Sequence, residues 1–123
     1  MDNKILITGA AGFIGFHLTK RLANDGYEII CIDNINDYYS TKLKKDRLKN
    51  LGFVIENSPN YDCEIKSSKF SNISFYKIDI AEKNETEFLF SKEKFSIVYN
   101  LAAQAGVRFS ITNPEVYTKS NLV

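Results

Sequence analysis

Short apolar runs alternate with amphipathic stretches along this chain, and the alternation predicts strands separated by helices. Ile5-Leu6-Ile7 anchors a first strand over 4–8. A helix over 12–25 follows, with Ile14, Leu18 and Leu22 expected on one inward face and Gly26 as its stop. The uninterrupted run Ile29-Ile30-Cys31-Ile32 predicts a second strand over 28–33. A second helix is expected over 40–51, with Ser40 as a cap, Leu43, Leu48 and Leu51 inward, and Gly52 as terminator. Residues 73–78 read as a third strand. A third helix over 84–95 is expected because Asn84 can cap it and Glu87 stands three residues on. The run 96–102 is apolar at nearly every position, as in a central parallel strand covered on both faces. Asn113-Pro114 then starts a further helix, with Asn as cap and Pro at the first position.

Strands separated by helices imply right-handed crossovers, hence an α/β fold with helices on both faces of a parallel sheet. Residues 53–72 break the pattern. They have no clear period and contain Asn57-Ser58-Pro59-Asn60 and Ser67-Ser68, so they are expected to form a long, mobile surface insertion.

The strand before residue 8 runs directly into Thr8-Gly9-Ala10-Ala11-Gly12-Phe13-Ile14-Gly15. This is a strand, a tight glycine turn and the first turn of a helix. Such a turn is suited to a pyrophosphate. Gly9 can adopt the turn's backbone angles, Gly12 lets phosphates approach the main chain, and Gly15 lets the helix lie close to its strand. The free N–H groups at the helix start then face the anion. Asp33 ends the second strand, 18 positions after Gly15, where a dinucleotide-binding unit accepts hydrogen bonds from the adenosine ribose. A carboxylate there repels a 2′-phosphate, so NAD is expected over NADP. The bland alternative is that Asp33 merely begins the polar loop Asn34-Ile35-Asn36-Asp37. A P-loop is excluded, because no Gly-Lys-Ser/Thr follows the glycines.

Composition narrows the partners. At 123 residues, 44% apolar and 25% charged, the chain is one ordinary globular domain or part of one. A net charge of +1 gives no global pull toward nucleic acid or an anionic membrane. No apolar stretch is long enough to span a bilayer, and no secretory signal precedes the first strand, so a soluble cytoplasmic protein is expected. Two cysteines do not make a disulfide framework: Cys31 lies in a predicted buried strand, and Cys63 reads as a free surface thiol. The residues Lys42, Lys44, Lys45, Arg47 and Lys49 read as a solvated basic helix face rather than a nucleic-acid contact. His17 falls on the polar side of the first helix and is assigned no role. No metal-ligating set is evident.

Taken together, the glycine segment, Asp33-Asn34, Asp79-Ile80 and the stretch Asn100-Leu101-Ala102-Ala103-Gln104-Ala105-Gly106-Val107-Arg108 resemble the extended short-chain dehydrogenase/reductase superfamily. Within it the chain is most similar to NAD-dependent nucleotide-sugar epimerases and dehydratases, above all the UDP-glucuronate 4-epimerases. Those share the loop Asn36-Asp37-Tyr38-Tyr39 and the Ala-Gln-Ala-Gly-Val-Arg segment. The resemblance covers most of the chain outside 53–72. It implies the N-terminal portion of a Rossmann-type, doubly wound parallel sheet across residues 1–123, with NAD as cofactor and a UDP-sugar as substrate. It also implies a homodimer for the full-length protein.

Carried over residue by residue, Gly9, Gly12 and Gly15 line the pyrophosphate, and Phe13 and Ile14 supply N–H groups. Asp33 and Asn34 hold the adenosine ribose. Asp79 and Ile80 sit by the adenine, although a strand-end turn would equally explain Asp79. Ala102, Ala103 and Gln104 pass under the dinucleotide. Arg108 would face the sugar nucleotide, where a guanidinium suits a uronate carboxylate or a diphosphate, with an ordinary surface charge as the alternative. Asn121 matches an asparagine beside the family's active site, or equally a buried helix asparagine bonded to backbone. Position 100 is Asn where the family usually has His, which is read as a structural change.

The family moves its proton with a tyrosine followed four residues later by a lysine, on a segment expected beyond Val123, as is the small domain that closes on the nucleotide. Tyr38 to Lys42 matches that spacing but lies at the adenosine end, so it is read as coincidence in a chain with 7 tyrosines. No catalytic residue is therefore expected within these residues, and the chain alone is expected to be inactive. The enzymatic alternative is a dehydratase, whose His-Val-Asp-Arg-Ser stretch is replaced here by Gly106-Val107-Arg108-Phe109-Ser110. The alternative from another class is a non-catalytic dinucleotide-binding module.

Overall fold

A computed structural model describes residues 4–35, 41–55 and 59–102. In chain order these form β1 (Lys4–Thr8), α1 (Phe13–Asn24), β2 (Glu28–Asp33), α2 (Thr41–Asn50), β3 (Ile65–Lys66), β4 (Ile73–Lys77), α3 (Lys83–Lys92) and β5 (Ile97–Asn100). The sheet order is β3-β4-β2-β1-β5, with β4, β2, β1 and β5 parallel and β3 antiparallel to β4. Strand alternation sends successive side chains to opposite faces. Ile5, Ile7, Ile29, Cys31 and Phe75 pack with Phe16 and Ala23 of α1 and Leu48 of α2. Leu6, Ile30, Ile32, Tyr76 and Val98 pack on the other face with Leu89 of α3. The sheet is thus covered on both sides, as the alternation predicts. The chain moves outward from β1 through β2 to β4, then returns to β5 on the other side of β1. That reversal opens a crevice at the carboxyl ends of β1 and β5, the usual ligand position in such sheets.

Several inward faces differ from expectation. In α1 the buried residues are Gly15, Phe16, Thr19 and Ala23, while Ile14 is exposed and Leu18 and Leu22 are only partly buried. Close approach selects small side chains here: α1 lies on the glycine turn through Gly15, and Thr19 Oγ1 donates to the Gly15 carbonyl at 2.7 Å. In α2 Leu48 faces inward, as does Leu51 just past its end, but Leu43 is 42% exposed and Lys44 is buried in its stead. The third helix begins before Asn84, with Glu82 as N-cap and no side-chain capping bond. The acid that matters locally is Glu85, whose Oε1 accepts the Asp79 N–H at 2.8 Å.

Residues 53–72 are more than a surface excursion. Phe53 is fully buried, Ile65 and Phe70 pack against the core, and β3 extends the sheet at its edge. Ser67 Oγ donates to the Leu51 carbonyl at 2.7 Å and ties this segment to the end of α2. At the other end, β5 is an edge strand among the described residues, and of its four residues only Val98 is fully buried. Cys31 is buried beside Thr19, and burial pushes its thiol up to about 12, whereas Cys63 is exposed. The helix expected from Asn113, the caps at Ser40 and the loop 36–39 lie outside the described residues. Among the described residues, no helix is long and apolar enough to cross a membrane, and no group of three His, Cys, Asp or Glu could hold a metal.

Candidate dinucleotide-binding site

The site starts at the end of β1. Gly9 has φ of 70°, and a Cβ there would meet Ala102 N and the Leu101 carbonyl group at 2.8 Å. The tip of β5 therefore passes directly over the turn, which only glycine permits. Thr8 fixes that crossing: its Oγ1 donates to Asn100 Oδ1 at 2.6 Å and accepts the Ala102 N–H at 3.1 Å. Asn100 thus joins β5 to β1, a structural role for the residue that departs from the family pattern.

The turn closes through Gly12 N–H donating to the Gly9 carbonyl at 3.0 Å, and Gly12 becomes the N-cap of α1 with no side chain to offer. The first intrahelical bond runs from Phe16 N–H to the Gly12 carbonyl at 2.9 Å. The N–H groups of Phe13, Ile14 and Gly15 precede it and point out of the helix start. Phe13 and Ile14 are each 63% exposed, an apolar rim around those donors. Oriented N–H groups, the positive end of the helix dipole and the absence of a capping side chain fit a pyrophosphate.

Asp33 stands beside this turn, buried at the end of β2. Its Oδ2 accepts the Ala11 N–H at 3.1 Å, and its Oδ1 accepts the Ile35 N–H at 2.7 Å. The carboxylate is thereby held against the glycine turn, not merely at the start of a loop. Two cations from α2 join it, which no reading of α2 as a solvated basic face anticipates. Lys44 Nζ donates to Asp33 Oδ1 at 3.1 Å, and Arg47 Nη1 donates to the Ala11 carbonyl at 3.1 Å. The Arg47 guanidinium also lies over the Phe13 ring, 5.8 Å from its centroid. Lys42 instead pairs along the exposed helix surface with Asp46.

Next to Asp33, a cleft of about 460 Å3 opens between the ends of β2 and β4, lined by Asn34, Tyr61, Lys77 and Asp79 among others. Asp79 Oδ1 accepts the Ala81 N–H at 2.9 Å, so the residue does form a strand-end turn while bordering the cleft. Ile80 is buried with Leu6, Ile30 and Ile32 in the core below. Tyr61, overlooked in the sequence because it sits in an aperiodic segment, lines the cleft and packs edge-on against Phe88 at 5.4 Å. His17 is exposed and edge-on to Phe13 at 4.7 Å. Gly9, Gly12, Phe13, Ile14, Gly15, Asp33, Asn34 and Asp79 thus border one continuous edge of the sheet, with Ala102 at its β5 end. Ala103, Gln104, Arg108 and Asn121 lie outside the described residues, as does Tyr38.

This fold and turn belong with a known group. The model of the NAD dependent epimerase/dehydratase family matches residues 5–123, and the chain belongs to that family. NAD is the cofactor of the family. The chain is 45% identical over 120 residues to Protein CapI of Staphylococcus aureus, covering 98% of this chain and 31% of that protein. It is 38% identical over 117 residues to the UDP-glucuronate 4-epimerase of Thermodesulfobacterium geofontis, covering 95% of this chain and 31% of that one. Among solved structures, UDP-glucuronic acid 4-epimerase from Bacillus cereus in complex with UDP-glucuronic acid and NAD superposes with a TM-score of 0.57. It is 32% identical, and the match covers 89% of this chain and 29% of that one. The chain thus spans 31% of the length of each of these two curated relatives.

Proposed function

We propose that this chain is the NAD-binding portion of a nucleotide-sugar epimerase that interconverts UDP-glucuronate and UDP-galacturonate through a 4-keto intermediate. The observation that carries the reading is the glycine turn with its outward N–H groups and Asp33 bonded to Ala11 beside it. Similarity to UDP-glucuronate 4-epimerases supports the substrate. Held at the glycine turn and Asp33, NAD would supply the reversible hydride acceptor that epimerisation needs. The chain's own part is to hold the cofactor. Phe13 and Ile14 N–H groups bind the pyrophosphate, Asp33 and Asn34 the ribose, and Asp79 the adenine amino group, with Ile80 packed below. Ala102, Ala103 and Gln104 give the dinucleotide room, and Arg108 takes the substrate's negative charge through a planar fork. The acid–base residues lie on a segment outside residues 1–123, and the whole enzyme is a cytoplasmic homodimer.

The test is interconversion of the two UDP-uronates by the full-length protein and by the 123-residue chain. We expect turnover from the first and none from the second. Turnover by the short chain that disappears in Tyr38→Phe would contradict the assignment of catalysis to a later segment. Loss of a water from a dTDP-sugar in place of epimerisation would favour the dehydratase.

In the same full-length enzyme, Arg108→Lys should raise KM or lower kcat for the sugar nucleotide by roughly tenfold, with NAD affinity unchanged. Lysine keeps the charge but loses the paired donors. Wild-type kinetics would return Arg108 to the surface.

A further inference from the structure

The charge beside the ribose site is not that of Asp33 alone. Lys44 and Asp33 form a buried ion pair, with side chains 9% and 3% exposed and 3.1 Å between Nζ and Oδ1. Arg47 adds a second cation on the same helix, one turn further on, and bonds the Ala11 carbonyl, whose residue also donates to Asp33. Glycine turn, carboxylate and two cations therefore make one connected cluster. A lone carboxylate at the end of β2 would repel a 2′-phosphate. Here that charge is offset by a cation at contact distance, in a setting screened from water, where charges act strongly on one another.

We propose that Lys44 is a specificity-determining residue. By pairing with Asp33 it fixes the carboxylate against the glycine turn and offsets its charge, so that the pair, with Arg47 beside it, sets the balance between NAD and its 2′-phosphorylated form. The inference rests on the NAD-binding reading of the glycine turn. It narrows the preference for NAD that a bare Asp33 would impose. Asp33 keeps an acceptor position on Oδ2 for a ribose hydroxyl, since a carboxylate offers about four lone-pair sites and three are used by Ala11, Ile35 and Lys44.

The experiment is calorimetric titration of the full-length protein with NAD and with NADP, read as the ratio of the two dissociation constants. Lys44→Met should weaken NADP binding about tenfold more than NAD binding, because a bare carboxylate then faces the phosphate. Lys44→Arg should restore the wild-type ratio to within about threefold, since the charge is retained. Lys44→Met leaves a buried, unpaired carboxylate and can fail to fold. The double variant Asp33→Asn/Lys44→Met removes both charges, and its ratio should stay within about threefold of wild type. If Asp33 alone set the preference, that double variant would swing toward NADP by tenfold or more, which would overturn the proposal. Equal weakening of both nucleotides in Lys44→Met would overturn it while leaving the NAD site intact. A wild-type protein that binds neither nucleotide would overturn this inference together with the reading on which it rests.

Discussion

Gly15→Val should abolish NAD binding and lower the stability of the domain by roughly 2–4 kcal/mol, near the upper end for overpacking a tight contact. A Cβ on Gly15 would land on the Gly9 carbonyl oxygen, with the Gly9 carbonyl carbon at 2.9 Å and Ala10 Cα at 3.0 Å. All of these are backbone atoms, so no side chain can swing aside. The turn cannot retreat either. Its Gly9 carbonyl accepts the Gly12 N–H, and the backbone of Leu101 and Ala102 lies against the other side of Gly9. Helix α1 must therefore lift from the sheet, and the N–H groups of Phe13 and Ile14 move with it. Gly15→Ala should show the same effects at smaller amplitude. Urea unfolding with a parallel NAD titration checks this, and a Gly15→Val protein with wild-type stability would show that α1 does not rest on the turn.

The second large effect lies at the opposite end of β1. Lys4→Met should lower stability by about 2–3 kcal/mol, less than the ~3–5 kcal/mol for breaking a fully buried pair because the Lys4 side chain is partly exposed. Lys4 Nζ donates to Glu93 Oε1 at 2.7 Å, and Tyr76 Oη donates to Glu93 Oε2 at 3.2 Å. Glu93 is buried at the end of α3, so the variant leaves its carboxylate with the Tyr76 hydroxyl in place of a cation. The hydrogen bond to Glu93 raises Lys4 above its ordinary 10.5. A raised lysine stabilises the fold fully below its unfolded value and loses that contribution as pH rises through the folded one. The wild type should therefore lose stability above pH 10.5 more steeply than Lys4→Met. Burial also raises the Tyr76 phenol, which works in the same alkaline direction. Because Tyr76 shares Glu93 with Lys4, the difference between the two proteins reads the whole Lys4–Glu93–Tyr76 cluster. Denaturant unfolding at neutral pH and near pH 11 reads both effects, and equal stabilities at neutral pH would remove the pair from the account.

Backbone chemistry was the part most legible in the chain. Continuous β-branched and leucine runs marked β1 and β2, and three glycines in register marked the turn, because these residue types are demanded by the geometry itself. Helix orientation was less legible. Counting apolar side chains at helical spacing favoured Ile14 and Leu43, whereas close packing brought Gly15, Thr19 and Ala23 inward and an ion pair brought in Lys44. Apolar periodicity carries no signal for a smallness requirement or for a charge partner on another element. The two-residue strand β3 escaped notice because its pairing with β4 is the structure's only antiparallel ladder among the described residues and is too short to show a period. Tyr61 was hidden for the same reason, although it lines the cleft with Asn34 and Asp79.

A crystal structure of the full-length protein with NAD tests the central claim most directly. We expect the pyrophosphate oxygens within hydrogen-bond distance of the Phe13 and Ile14 N–H groups, and a ribose hydroxyl donating to Asp33 while Lys44 stays paired with it. A dinucleotide bound away from the glycine turn, or with its ribose out of reach of Asp33, would contradict the account.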